Sequence, residues 1–330
     1  MTERDRIKYQ RLIDTVRRNF RITRLYSEYL NLFPELITEE MIDSITEDGD
    51  ISREGAIAAI LAEAFALDFG NGEDRRIIMD YLNPSIRLLD RSKYENDPYY
   101  KNIKLDDIKD GNWEIRWEEY KPYQGVICDD MVIGEDFKEI PPLGFFTERF
   151  RFPAILENGN EWMTLTPVDL DTCYEAIAQA RGKVVTFGLG LGYYAFMAAN
   201  KAEVDSVTVV ELSEEVIRLF KTHILPQMEN KHKINIVNMD AFEYAERIMP
   251  GEGFDIAFVD TWRDASDGAP MYKKMKALEH LSPNTKFLYW VEGFLRSRLR
   301  AEKFSEMIED YENGSLEESY DAFTEKIKKI

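Results

Sequence analysis

Val184-Val185-Thr186-Phe187-Gly188-Leu189-Gly190-Leu191-Gly192-Tyr193 runs a short β-branched and aromatic stretch into three glycines at alternate positions. Such a run predicts a buried strand, and the glycines predict a sharp turn that opens a helix. Glycine suits that turn because a ligand approaches the backbone with no Cβ in the way. Glu211 ends the next strand, Ser206-Val207-Thr208-Val209-Val210, about twenty residues on, where a carboxylate accepts hydrogen bonds from both hydroxyls of a ribose. A glycine turn alone is a weak signal, since tight packing of helix on strand also uses one; its pairing with Glu211 points to a nucleoside. The dinucleotide fingerprint is G-x-G-x-x-G, whereas the third glycine here comes one position early, as Gly188-x-Gly190-x-Gly192. Tyr193 stands where that fingerprint needs Gly or Ala, and its ring would crowd a pyrophosphate, which argues against a nicotinamide dinucleotide.

Downstream, strands are predicted at Lys183–Phe187, Ser206–Val210, Ile234–Val237, Phe254–Val259 and Lys286–Trp290, with helices between them, and a helix at Asp169–Ala180 before the first. This alternation is the mark of a parallel sheet covered by helices. Upstream, Phe152–Glu157 and Glu161–Thr166 flank Asn158-Gly159, a dipeptide that supplies the positive φ angles of a tight hairpin turn. Trp113, Ile115 and Trp117 alternate with charged residues as a half-buried strand does. From Asn96 to Gly111 no period is visible. Apolar residues between Arg6 and Leu32 recur at helical spacing up to Pro34, Thr38 and Ser52 read as helix N-caps, and Glu73–Leu89 continues as helix interrupted at Pro84. The first ninety or so residues therefore read as all-helical. Glu292–Ile330 also reads as helical and strongly charged. The expected division is 1–110, a helical module, and 111–330, which carries the nucleoside site.

Apolar residues make up 44% of the 330 and charged residues 32%, a globular balance. Lys plus Arg number 42 against 62 for Asp plus Glu, a formal charge of −20, which repels phosphate backbones and anionic membranes. Nucleic acid is therefore not expected as a partner. The exception is the basic stretch Met1–Arg24, best read as packing on the chain's own acidic remainder or on a sister subunit; a homodimer through this helix is one expectation. Cys128 and Cys173 match no metal or redox spacing, and His223, His232 and His280 make no ligand cluster, so no metal is expected. No signal peptide or membrane span is visible, and a cytoplasmic location is the expectation.

With these features in hand, the sequence resembles the class I S-adenosylmethionine-dependent methyltransferases. Gly188-Leu189-Gly190-Leu191-Gly192 matches their first motif and Glu211 their ribose-binding acid, while Asn238-Met239-Asp240-Ala241-Phe242 and Phe254-Asp255-Ile256-Ala257-Phe258-Val259-Asp260 follow in family order. The resemblance covers roughly Thr166–Trp290. It implies an α/β fold with a Rossmann-like, doubly wound, mostly parallel sheet, preceded by the helical module and a small β region. It also implies S-adenosylmethionine as cofactor, with a binding set of Phe187, Gly188, Leu189, Gly190, Gly192, Tyr193, Glu211, Leu212, Asp240 and Ala241, the Asp240 carboxylate accepting from the adenine amino group. Asp260, at the end of the fourth strand, would face the reaction centre.

A narrower resemblance is to the aminopropyltransferases of the spermidine synthase group. Asp260-Thr261-Trp262-Arg263-Asp264 with Asp267-Gly268-Ala269-Pro270-Met271-Tyr272 is similar to their catalytic loop, although the second acid comes four residues after the first rather than three. Asp169-x-Asp171-x-x-Tyr174-Glu175 is similar to their upstream amine-gripping helix. The same loop acids read equally well as a solvated loop and a first-turn helix cap. Asp260, Asp264 and Trp262 are the catalytic candidates, with Tyr193, Tyr289 and Trp290 as further aromatic walls of a pocket. The family's sheet usually ends in a β-hairpin after its fifth strand, which this sequence lacks; the Asn158-Gly159 hairpin is a candidate to complete it. Three functions follow: a methyltransferase on a small cationic or neutral acceptor, a polyamine aminopropyltransferase, or a non-catalytic adenosylmethionine-binding scaffold.

Overall fold

The computed structural model describes every residue except Asp48 and Asp106. The chain clusters into two compact units that interleave in sequence. One comprises 1–89, 120–149 and 292–330; the other comprises 90–119 and 150–291.

The second unit holds a five-stranded, wholly parallel sheet of β1 (Gly182–Phe187), β2 (Val204–Glu211), β3 (Ile234–Asn238), β4 (Ile256–Val259) and β5 (Lys286–Tyr289). Their order is β3-β2-β1-β4-β5, so the chain reverses direction across the sheet beside β1. This is the Rossmann-like arrangement, and all five strands fall where the apolar runs predict them, within two residues at each end. Val184, Val185, Val207, Val209, Ile256, Ala257 and Val259 are fully buried, as strands covered on both faces require. Helices Tyr193–Ala199, Glu214–Leu219, Ala241–Arg247 and Ala265–Leu278 connect them.

The Asn158-Gly159 hairpin forms as expected, with φ of +53° and +79° at the turn. It does not complete the parallel sheet. Phe150–Glu157 and Asn160–Thr164 belong to a separate four-stranded sheet with Ile108–Asp110 and Trp113–Tyr120. The parallel sheet ends at β5.

The first unit is mostly helical: Glu3–Leu32, Glu39–Thr46, Arg53–Ala64, Gly72–Ile77, Glu292–Asn313 and Tyr320–Lys328 are its main helices. Thr38 and Ser52 cap theirs, accepting from the Met41 and Gly55 amides. The all-helical expectation fails at Ile86–Leu89, which is a strand running parallel to Leu143–Phe146. The helical run passes through Pro84 and ends at Ser85, and Ile86 and Leu88, alternate residues of the strand, pack on the same apolar cluster. Helix Glu3–Leu32 lays Tyr9, Leu12, Ile13 and Val16 against Phe304, Met307, Phe323 and Ile327. Its arginines and lysines meet the chain's own acids: Lys8 with Asp321 at 2.6 Å, Arg18 with Glu73 at 2.9 Å, Arg21 with Asp74 at 2.6 Å, and Arg17 with Glu312. No helix among the described residues is long and apolar enough to cross a membrane.

Candidate functional site

Register sets the site. Phe187 pairs with Val210 on one side and Val259 on the other, so the next residues, Gly188, Glu211 and Asp260, emerge together at the carboxyl ends of β1, β2 and β4. The Gly188 amide donates to the Val210 carbonyl at 2.9 Å and the Asp260 amide to the Phe187 carbonyl at 2.8 Å. In open α/β sheets this crevice, where strand order reverses, is where ligands bind.

Gly188, Gly190 and Gly192 have φ of +99°, +50° and +76°, the left-handed region that favours glycine. The turn is tied to Glu211, a buried carboxylate whose Oε2 accepts from the Leu189 amide at 3.0 Å and Oε1 from the Ser213 amide at 2.8 Å. Each carboxylate oxygen offers two lone-pair sites, so Glu211 keeps acceptor capacity beyond these bonds. Leu212 beside it is 68% exposed, an apolar side chain left uncovered next to a buried acid. Asn238 steadies that corner, donating through Nδ2 to the Glu211 and Leu212 carbonyls at 3.1 and 2.9 Å. Asp240 caps helix Ala241–Arg247, its Oδ1 accepting from the Phe242 and Glu243 amides at 2.9 Å each, which leaves Oδ2 without a described partner. Phe187 and Ala241 are buried, and Phe187 packs edge-on against Tyr244.

Behind the turn lies a cavity of about 20 Å³ lined by Met163, Asp169, Cys173, Tyr193, Tyr194, Asp260 and their neighbours. That is room for about one water. Asp260 comes from the end of β4 and Asp169 from the first turn of helix Pro167–Gln179. Burial pushes the Asp260 carboxyl well above its ordinary range, and the nearby charges of Asp169 and Glu211 add to the shift. No described residue donates a hydrogen bond to its carboxylate. Burial likewise raises Asp169 to about 6, even though its Oδ2 accepts from the Thr166 amide at 2.7 Å and hydroxyl at 2.8 Å. Cys173, which lines the same cavity, is pushed up by burial and by both acids. Two neighbouring carboxyls of this kind resist ionising together.

The aromatic residues separate into two sets. Tyr193 and Trp290 line the cavity; Trp262 and Tyr289 do not. Trp262 is buried and stacks on Tyr289, ring centroids 6.4 Å apart and planes 13° from parallel, and its indole Nε1 has no partner among the described residues. Asp264 also lies outside the cavity lining. It caps helix Ala265–Leu278, accepting from the Ser266 amide at 2.7 Å, and Asp267 completes the capping box by accepting from the Asp264 amide at 3.0 Å. Of Asp169, Asp171, Tyr174 and Glu175, only Asp169 reaches the cavity. Asp171 is held by Lys93 Nζ at 2.5 Å and the Tyr94 hydroxyl at 2.9 Å, Tyr174 is exposed, and Glu175 accepts from Gln179.

Sequence reasoning missed Tyr194 and the segment Asp97–Asn102. Tyr194 stacks on Phe258 at 4.3 Å, and its buried hydroxyl, at the cavity wall, has no partner among the described residues. Its one sequence signal was a second tyrosine in the first turn after the glycines. Asp97 accepts from the Tyr193 hydroxyl at 3.0 Å, and Tyr99 donates to the Leu191 carbonyl at 2.6 Å, so this short helix bolts the glycine turn in place. No group of three or more metal-binding side chains occurs among the described residues.

No protein-family model matches this chain, and no curated protein matches it in sequence. Among solved structures it is similar to spermidine synthase from Thermotoga maritima, with 15% identity, 48% of this chain and 60% of that one covered, and a TM-score of 0.31. It is also similar to a spermidine synthase in complex with the transition state analogue AdoDATO, at 17% identity with 48% and 61% covered and a TM-score of 0.34. A third is a protein from Klebsiella pneumoniae described as an O-methyltransferase, at 13% identity, with 41% and 64% covered and a TM-score of 0.28. The chain spans less than two thirds of the length of each.

Proposed function

We propose that this protein is an S-adenosylmethionine-dependent methyltransferase acting on a small, neutral or cationic acceptor. The observation that carries the reading is the corner built by Gly188, Leu189 and Glu211: a buried carboxylate with spare acceptor capacity, hydrogen-bonded to a left-handed glycine turn at the sheet's switch point. Glu211 would accept from the ribose hydroxyls, with Leu212 and Ala241 against the adenine and Asp240 Oδ2 open to its amino group. The fit requires a cradle free of backbone, and the group lying over Gly190 is the thioether of Met163, the end of a flexible side chain. When bound, the sulfonium supplies an electrophilic methyl group for in-line displacement.

This chain's own contribution is then alignment and proton handling. Holding the acceptor at contact distance supplies several kcal/mol of a displacement barrier. Asp260, at the cavity wall, is placed to orient or take a proton of an amine or hydroxyl acceptor, and the charge of Asp169 bears on its basicity. Tyr193 and Trp290 wall the cavity and keep water from the reacting pair.

An aminopropyltransferase is the second reading, favoured by Asp169 and Asp260 meeting in one cavity, where paired acids suit an ammonium group. Against it, Asp171 is already engaged by Lys93 and Tyr94, and Asp264 and Asp267 are engaged as caps. Isothermal titration with S-adenosylmethionine, its decarboxylated form, S-adenosylhomocysteine and NAD, with a Gly190→Asp control, separates the readings. Binding of the methionine forms, lost in the control, is expected. Preference for the decarboxylated form favours the second reading, and binding of NAD alone or of nothing ends both.

A further inference from the structure

Three observations converge on Met163. First, a Cβ built on Gly190 would lie 2.1 Å from the Met163 sulfur and 2.5 Å from its methyl carbon, so the face of the glycine turn that lacks a side chain is filled by this thioether. Second, Met163 also lines the cavity of about 20 Å³ with Gly188, Leu189 and Asp260, which has room for about one water and none for a substrate group. Third, the hairpin is bulged beside it. Ile155 pairs with Met163 but Leu156 pairs with Glu161, leaving Trp162 as the extra residue. A bulge inserts one residue to re-aim a neighbouring side chain, and such features concentrate next to active sites. Trp162 is anchored edge-on against Trp113, at 5.5 Å and 77°, and the pairing resumes beyond it with Met163 directed at Gly190.

We infer that Met163 is the displaceable plug of the glycine turn, and that it sets which ligands enter and how tightly they bind. The inference rests on the adenosyl-binding reading above. Methionine suits the task. It is unbranched, with three rotatable bonds and a polarisable sulfur, so it fills an irregular gap yet swings clear at low cost. Asn160–Thr164 is the outer strand of its sheet, paired among the described residues only with Phe150–Glu157, so a rotamer change or a small shift of this edge opens the turn without disturbing the parallel sheet. A protein whose binding-competent state is a minor population binds with an affinity reduced by that fraction, and removing the plug lifts the reduction.

The test is titration of S-adenosylhomocysteine into the full-length protein and into Met163→Ala and Met163→Leu. Thermal melts verify that each variant is folded. The expectation is at least tenfold tighter binding by Met163→Ala, with Met163→Leu close to the parent because it refills the gap. In parallel, ¹³C-methyl methionine spectra of the parent, with the Met163 signal identified by its loss in the variants, should show that signal moving on titration. Equal or weaker binding by a folded Met163→Ala, or an unmoved Met163 signal while the ligand binds, overturns the plug and leaves the adenosyl site standing. Binding to none of the three proteins overturns the adenosyl reading and the plug with it.

Discussion

A Cβ on Gly188 would lie 1.8 Å from the Asp260 carbonyl oxygen, in a backbone conformation with φ of +99°. Neither the carbonyl, which belongs to the loop leaving β4, nor the φ angle can yield without breaking the register that brings Gly188 and Asp260 together. Gly190, two residues on, meets only the tip of Met163 and sits at φ +50°, which a side chain tolerates at a cost of roughly 1–2 kcal/mol. The same substitution therefore has different outcomes at neighbouring glycines. Gly188→Ala should destabilise the protein by more than ~3 kcal/mol or prevent folding, whereas Gly190→Ala should cost about 1–2 kcal/mol and lose adenosyl-ligand binding. Denaturant midpoints at unchanged slope give the comparison; equal costs would mean that the turn does not pack on Asp260 as described. The glycine pattern is visible in sequence, but which glycine answers to the fold and which to a side chain over the site is a matter of distances.

Among the elements, helix Glu292–Asn313 begins on a residue far away in the chain. Asp130 Oδ2 accepts from the Gly293 amide at 2.7 Å and its Oδ1 from the Phe294 amide at 2.9 Å, satisfying first-turn donors that have no partner within the helix. Burial raises the Asp130 carboxyl while these amides pull it down, burial being the larger effect. Asp130→Ala should therefore cost about 1–2 kcal/mol of stability, because it strands two part-buried amides, and Asp130→Asn should recover part of that loss by keeping one acceptor. Similar losses from both variants in thermal or urea unfolding would show that the carboxylate is not acting as a cap. A cap borrowed from a distant loop leaves no local signature. Thr38 and Ser52, which cap the helices that follow them directly, are legible at once. The parallel strands were legible for a related reason: burial on both faces demands unbroken apolar runs. The five-residue helix Pro98–Asn102 and the four-residue strand Ile86–Leu89 are too short to establish a period, yet the first of them supplies the bolt on the glycine turn.

For the whole molecule, the interleaving of the two units is the feature that local patterns conceal, since periodicity describes elements and not the partners they choose. The first helix makes the consequence concrete. Its basic face suggested docking, and its salt bridges with Asp321, Glu312, Glu73 and Asp74 meet that expectation within the chain itself. Exposed pairs of this kind contribute at most about 1 kcal/mol each. The larger contribution is apolar: Tyr9, Leu12, Ile13 and Val16 cover Phe304, Met307, Phe323 and Ile327, while Ile22, Tyr26 and Tyr29 enter a second cluster with Ile57, Leu61, Leu143 and Phe145. Burial of such side chains is worth roughly 1.5–3 kcal/mol each, so their joint removal exceeds the net stability of an ordinary domain. Deleting residues 1 to 33 should therefore do more than remove a surface helix. We expect the circular dichroism helix signal to fall by more than the 30 residues of Glu3–Leu32 account for, with dye-binding apolar surface and aggregation appearing as the C-terminal helices lose their cover. A truncated chain that instead kept the remaining helicity and ran as a well-behaved particle of half the parent's size would make this helix a contact between subunits, and the core seen around Tyr9 would be secondary to it.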